Sequence, residues 1–179
     1  MRASVAARGA AGSTFDHVAR AAGVSRGLLH YYFGTKERLL VEAVRRESEV
    51  RLDSLEAAVG KAATADEVLA ALVAGFEDFL GTGQGSAVMF FEVLTLGQRT
   101  PEIAAELAQL GRRMRTHLAD ALRAKARDGV LSIAADPDAA AALLFALADG
   151  VVVRRLVEPE LDITPLMEQA ISTARALLR

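Results

Sequence analysis

Apolar residues recur along this chain at intervals of three and four, a pattern that divides it into successive amphipathic helices. Between residues 13 and 36, in the run STFDHVARAAGVSRGLLHYYFGTK, two of these helices are short and closely joined. Ser13 and Asp16 have the S-x-x-D spacing of a capping box, which predicts a helix from there to about Ala22. Gly23 supplies a permissive turn, and Ser25 offers the cap for a second helix through Phe33. Phe15, Val18, Ala19, Ala22, Val24, Leu29 and Phe33 then turn toward one small core. Arg26, Gly27, Leu28, His30, Tyr31 and Tyr32 are left facing outward. Two capped helices with a glycine turn between them read as a helix-turn-helix.

The same periodicity continues. Gly34 breaks the second helix and Thr35 caps a long one, in which Leu39, Leu40, Ala43, Val44, Val50, Leu55 and Val59 form a stripe as far as Gly60. Thr64 and Glu67 form another capping box, opening a helix with Leu69, Leu72, Val73, Phe76, Phe79 and Leu80 on one side. GTGQGS, residues 81 to 86, reads as a flexible connection. A short helix carries Val88, Met89, Phe90, Phe91, Val93 and Leu94. Thr100 and Pro101 start a long one to about Arg127, with Ile103, Leu107, Leu110, Met114, Leu118 and Leu122 inward, and Gly129 ends it. Asp136 and Pro137 open a helix that is apolar nearly all round, so it must be buried on more than one side. The last helix begins near Pro165. Residues 1 to 8 end at Gly9, a plausible C-cap, and are too few for an independent helix.

Composition narrows the class. Hydrophobic residues make up 52% of the 179, with four prolines and no strand-like alternation, so the expected fold is all-α. There is no cysteine, which excludes disulfides, thiolate metal sites and thiol redox sensing. The longest apolar run, Ala139 to Ala148, is far short of the roughly 20 residues that cross a bilayer, so no membrane partner is expected. The net charge of −2 is unevenly divided: residues 1 to 46 hold eight lysines and arginines against three acids, and the remainder thirteen against twenty. A +5 head on a −7 body suits a protein of which one end meets phosphate.

His17, His30 and His117 are the only imidazoles, and none lies in E-x-x-H or H-E-x-x-H spacing. P-loop, dinucleotide and G-x-S-x-G fingerprints are missing too, so neither an enzyme nor a cofactor is expected. The outward face from Arg26 to Tyr32 has two readings. It is a solvated helix whose aromatics cover a neighbour, or it reads DNA, with Arg26 on a base edge or phosphate and Gly27 admitting a close backbone.

The run VARAAGVSRGLLHYYFGTKERLL resembles the N-terminal domain of the tetracycline-repressor (TetR) family of transcriptional regulators, with turn, recognition helix and following lysine in register. FALADGVVVRRLVEPELD looks like the subgroup that includes betaine-pathway repressors. The resemblance implies a helix-turn-helix DNA-binding domain over residues 1–46 and a helical effector-binding and dimerisation domain over 47–179. On DNA, it implies that Arg26, Gly27, Leu28, His30 and Tyr31 face a major groove while Thr14, Ser25 and Lys36 hold phosphates. In the body it implies an effector cavity, for which the candidates are Phe76, Phe79, Met89, Phe90 and Leu94, together with Leu110, Met114, His117, Phe145 and Asp149. Asp149 interrupts an apolar helix and needs a partner, which Arg113, Arg154 or a ligand cation would supply. Partners are thus an operator duplex, a second copy joined through the last two helices, and a small-molecule effector, in the cytoplasm.

One departure sets up a rival. Family members have roughly ten further residues before the first helix, so either the start codon is placed late or the DNA-binding head is truncated. The alternative function is a small-molecule-binding or scaffolding dimer whose shortened head no longer binds DNA.

Overall fold

The computed structural model describes residues 1–81, 84–133 and 135–179. Among the described residues there are nine helices and no strand: α1 (Arg2–Gly12), α2 (Phe15–Ala22), α3 (Arg26–Phe33), α4 (Lys36–Lys61), α5 (Ala65–Gly81), α6 (Gln84–Gly97), α7 (Pro101–Arg127), α8 (Pro137–Val157) and α9 (Thr164–Leu177). The fold is all-α, and no described helix is long and apolar enough to cross a membrane. Two compact units emerge, one of Met1–Val50 with Phe79–Leu110, the other of Arg51–Asp78 with Gly111–Arg179.

In the first unit Phe15, Val18, Ala19, Leu29 and Leu39 form a buried cluster, with Phe33 and Met1 packed against it. This is the expected small core, less two members: Ala22 is exposed and Val24 is 38% exposed. Both flank Gly23, whose backbone adopts φ +68° and carries the chain out of the core before α3 begins.

α1 meets one expectation and overturns another. Residues 2 to 12 form one element broken at Gly9, whose non-helical backbone (φ +68°) ends the first stretch as expected before a short second stretch runs on to Gly12. Val5 is 2% exposed, and the helix packs on α6. An isolated segment of this length would not hold a helix in water; tertiary burial holds this one. The packing is close because α6 presents Gly85, where a Cβ would stand 2.9 Å from the Arg2 carbonyl oxygen and 3.0 Å from Ala6 Cβ. The expected flexible connection therefore fails at Gly85 and Ser86, which are helical and buried, while Thr82 and Gly83 lie outside the described residues. Ser86 donates to a carboxylate oxygen of Glu47 on α4 at 2.8 Å, and Arg2 of α1 lies 3.9 Å from the same carboxylate.

The second unit has its own core, in which Val59, Val68, Leu69, Leu118, Leu122 and Leu178 are buried around Ala119, Ala140 and Ala141. The small alanines let helices approach closely. Several expected caps are present. Thr64 accepts from Glu67 N at 3.2 Å, and Asp136 accepts from Ala139 N at 3.1 Å ahead of Pro137. Gly129, at φ +73°, follows the end of α7. The α4 stripe holds except at Val50, which is 50% exposed, while Leu52 is buried instead.

Lys125 is 9% exposed in this unit. Its ammonium donates to the carbonyl oxygens of Gly60 (2.8 Å) and Ala62 (2.6 Å) at the C-terminal end of α4. These are carbonyls that a helix leaves without intrahelical partners, at the negative end of its dipole. No sequence signal marked this lysine.

Candidate DNA-binding surface

The helix-turn-helix is capped differently at its first helix from the S-x-x-D expectation. Thr14, not Ser13, is the N-cap of α2, accepting from His17 N at 3.4 Å. Ser13 is fully buried instead: it donates to the Gly9 carbonyl at 2.8 Å and accepts from Ser4 Oγ at 3.0 Å. Two adjacent hydroxyl residues competed, and the one whose side chain could satisfy α1 turned inward. Ser25 caps α3 as expected, accepting from Leu28 N at 3.1 Å. Both capping oxygens use their lone pairs on backbone, so each hydroxyl proton of Thr14 and Ser25 is still available to a phosphate oxygen.

α3 exposes the surface inferred from its sequence. Leu28 is 43%, Tyr31 82% and Tyr32 69% exposed, and the two tyrosine rings meet edge to face at 5.2 Å. At Gly27 a Cβ would meet nothing nearer than Ser25 Oγ at 4.0 Å, so the backbone there is open to approach. Arg26 is partly held. Its Nε donates to His30 Nε2 at 3.3 Å and an Nη to Asp16 of α2 at 3.4 Å. An Nε2 that accepts places the proton of neutral His30 on Nδ1. The same ring packs edge-on against Phe15 at 4.3 Å, so His30 links the reading face to the small core.

Lys36 already has one partner inside the unit. It is half-buried, and its ammonium donates to the Ala10 carbonyl at 3.2 Å. With Ser13 on Gly9 and His17 Nδ1 within 3.0 Å of the Gly12 carbonyl, three side chains from later in the chain serve the C-terminal carbonyls of α1. Lys36 retains two further N–H donors for any phosphate. Arg38, also in the first turn of α4, points its guanidinium to Glu106 of α7, at 2.6 Å. Neither Asp16 nor Glu106 was foreseeable, because ion pairs ten and 68 positions apart leave no local pattern.

The effector candidates fall in both units. In the first, Met89 is fully buried and Leu110 nearly so, Phe79 and Phe90 are half-buried, and Leu94 is 37% exposed. Phe90 makes an edge-to-face pair with Phe91 at 5.8 Å. In the second, Phe76 and Met114 are half-buried, Phe145 packs against the core, and His117 is exposed with Nδ1 3.6 Å from Glu56. Asp149 lies exposed on α8, yet crowding by its neighbours desolvates its carboxyl enough to raise its pKa above the ordinary carboxylate value. Arg154 is paired with Glu158 at 2.8 Å. Among the described residues no cluster of histidine and carboxylate side chains could hold a metal ion.

Residues 2–43 match the family described as bacterial regulatory proteins, tetR family, and residues 65–179 match the BetI-type transcriptional repressor C-terminal family. The first match, together with α1, overturns the truncated reading: the helix-turn-helix head is present from residue 2. The chain is 33% identical over 145 residues to the HTH-type transcriptional regulator BetI of Rhizobium meliloti (strain 1021), covering 79% of this chain and 67% of that protein. A BetI of Agrobacterium fabrum is 30% identical over 106 residues, 59% of this chain and 51% of the relative. Among solved structures, a protein of Saccharomonospora viridis described as a transcriptional regulator in complex with choline superposes with a TM-score of 0.74 at 26% identity, covering 94% of this chain and 88% of that one. The capped helix-turn-helix, its exposed arginine and tyrosine face, and these matches agree: the chain belongs to the tetR family of bacterial regulatory proteins, DNA-binding transcriptional regulators, with a C-terminal region of the BetI type.

Proposed function

We propose that this protein is a repressor that acts in the cytoplasm as a homodimer on a pseudo-palindromic operator and is released by a small cationic effector. The observation that carries the reading is the α3 face: Arg26, Leu28, Tyr31 and Tyr32 stand exposed on a helix whose opposite side is fixed by Phe15, Val18 and Leu29. A rigid helix with those side chains outward fits a major groove, Arg26 reading a guanine edge and Leu28 meeting a thymine methyl. Thr14, Ser25, His30 and Tyr31 would contact the flanking backbone, with Lys36 contributing through the donors that Ala10 leaves it. The DNA-binding domain would comprise residues 1–46 and the effector-binding and dimerisation domain residues 47–179.

Self-association is supported by α8 and α9. Ala139, Leu143, Ala146, Gly150, Val153 and Val157 lie four and three residues apart in turn along one side of α8, and Leu143 and Val157 are 51% and 66% exposed. Leu166 on α9 is 37% exposed. A second copy covering these side chains by two-fold symmetry removes an apolar stripe from water. Two recognition helices in a dimer read half-sites one or more helical turns apart.

For the effector, the choline held by the Saccharomonospora viridis protein makes a quaternary ammonium the first candidate. Phenylalanine faces and a carboxylate such as Asp149 are the groups that hold such a cation. The deciding experiment is a mobility shift on duplex enriched from a random pool by the protein itself, at fixed salt, with and without choline. Binding in preference to random duplex, weakened by choline, is expected. Equal affinity for enriched and random DNA would refute the regulator reading, and equal affinity with and without choline would refute that effector.

A further inference from the structure

Within the first unit, the short link Gly34–Thr35 joins the reading helix α3 to α4, and Arg38 sits in the first turn of α4, its backbone N–H donating to Thr35 Oγ1 at 3.2 Å. Its guanidinium is about half exposed, yet it is 2.6 Å from the carboxylate of Glu106, which comes from α7, 68 residues later. Lys36, two residues before it, is partly engaged inside the unit on Ala10. Arg38 is therefore the more exposed of the two cations that open α4, and a carboxylate engages its guanidinium. A guanidinium binds carboxylate and phosphate through the same planar donor fork, so the two acceptors exclude one another on a given edge.

We propose that Arg38 is a duplex-phosphate contact of this protein and that Glu106 competes with the phosphate for it, so that the ion pair acts as a brake on DNA binding. The proposal rests on the DNA-binding reading above. Glu106 stands one turn before the buried Leu110 on α7, so any displacement of that part of α7 opens or tightens the pair. The exchange is between two solvent-exposed ion pairs, which keeps its size modest. Removing the competitor is expected to tighten binding by about two- to fivefold, the range that exposed pairs support.

The test is a double-mutant cycle on one enriched duplex and one random duplex, read as affinity at several salt concentrations, with Glu106→Gln, Arg38→Gln and the double variant. Glu106→Gln preserves shape, and thermal melts of all variants verify the fold. On both duplexes Glu106→Gln is expected to tighten binding while Arg38 is present and to have no such effect in the Arg38→Gln background. Arg38→Gln is expected to lower the salt slope by about 0.9, the value for one phosphate contact. If Glu106→Gln tightens binding equally in both backgrounds, the acid acts by long-range repulsion and the competition is refuted. No change on Glu106→Gln, or an unchanged slope on Arg38→Gln, refutes it as well. Wild-type protein with no affinity for either duplex would instead bring down the DNA-binding reading itself, and the brake with it.

Discussion

Replacing Lys125 with methionine isolates what one buried ammonium does for the second unit. The side chain keeps its length and its packing among apolar neighbours, but the donors to Gly60 and Ala62 are lost. A hydrogen bond from a charged donor contributes about 1.5 to 3 kcal/mol, and a buried acceptor left without a partner costs about 1 to 3 kcal/mol. The Gly60 carbonyl adjoins exposed residues, so water replaces the lysine there; the contact to Ala62 is buried and has no such substitute. Against this, the variant no longer holds a desolvated ammonium, which returns part of the loss. The balance is a destabilisation of about 2 kcal/mol for Lys125→Met. Lys125→Ala should lose about 1 to 2 kcal/mol more, because it also empties the volume of the aliphatic stem. Urea unfolding at pH 7 and fixed protein concentration reads both values. Should Lys125→Met prove as stable as wild type within about 0.5 kcal/mol, desolvation cancels the hydrogen bonds and the lysine is no clamp on α4.

Gly85→Ala gains about 1 kcal/mol of helix propensity but drives a methyl against the Arg2 carbonyl and Ala6. Overpacking of that kind costs about 1 to 3 kcal/mol, so faster amide exchange across α1 is expected, and unchanged exchange would argue against tight α1–α6 packing. Lys36→Met should loosen the C-terminal turn of α1, seen as lost exchange protection there in the absence of DNA; an effect on DNA affinity alone would return the lysine to a purely phosphate role. Asp149 has its pKa raised in the fold, so the folded chain binds more protons than the unfolded one above the ordinary carboxylate value. Stability therefore falls as pH rises through that window and stays lower beyond it. Asp149→Asn should raise the melting temperature at pH 7 and leave it unchanged below about pH 3.5; equal melting at both would remove the desolvation argument. Leu143→Glu should shift the protein toward monomer in sedimentation at micromolar concentration, and an unaltered dimer would move the interface elsewhere.

Helix starts set by local hydrogen bonds were legible in the sequence: Ser25, Thr64 and Asp136 cap where their spacing says they should. The reading face was legible for the same reason, since Phe15, Val18 and Leu29 fix which side of two short helices is buried. Legibility ended where distant segments decide. Ser13 and Thr14 are equivalent locally, and only the orphan carbonyl of Gly9 selects between them. Gly85 and Ser86 look like a linker by composition, and only the approach of α1 explains a glycine in that turn of α6. Lys36 at the opening of a helix suggests an anion site, but the nearby end of another helix uses the same ammonium. Asp16, Glu106 and Lys125 act on partners far away in sequence, which periodicity cannot register.

The way α1 is held bears on how the protein is made. Its apolar side waits for α6, more than seventy positions later, and its last carbonyls wait for Ser13, His17 and Lys36. A segment of eleven residues interrupted by Gly9 has no means of remaining helical alone. α1 thus cannot acquire its shape until α6 has followed it out of the ribosome, and Val5 stays open to solvent, to chaperones and to proteases until then.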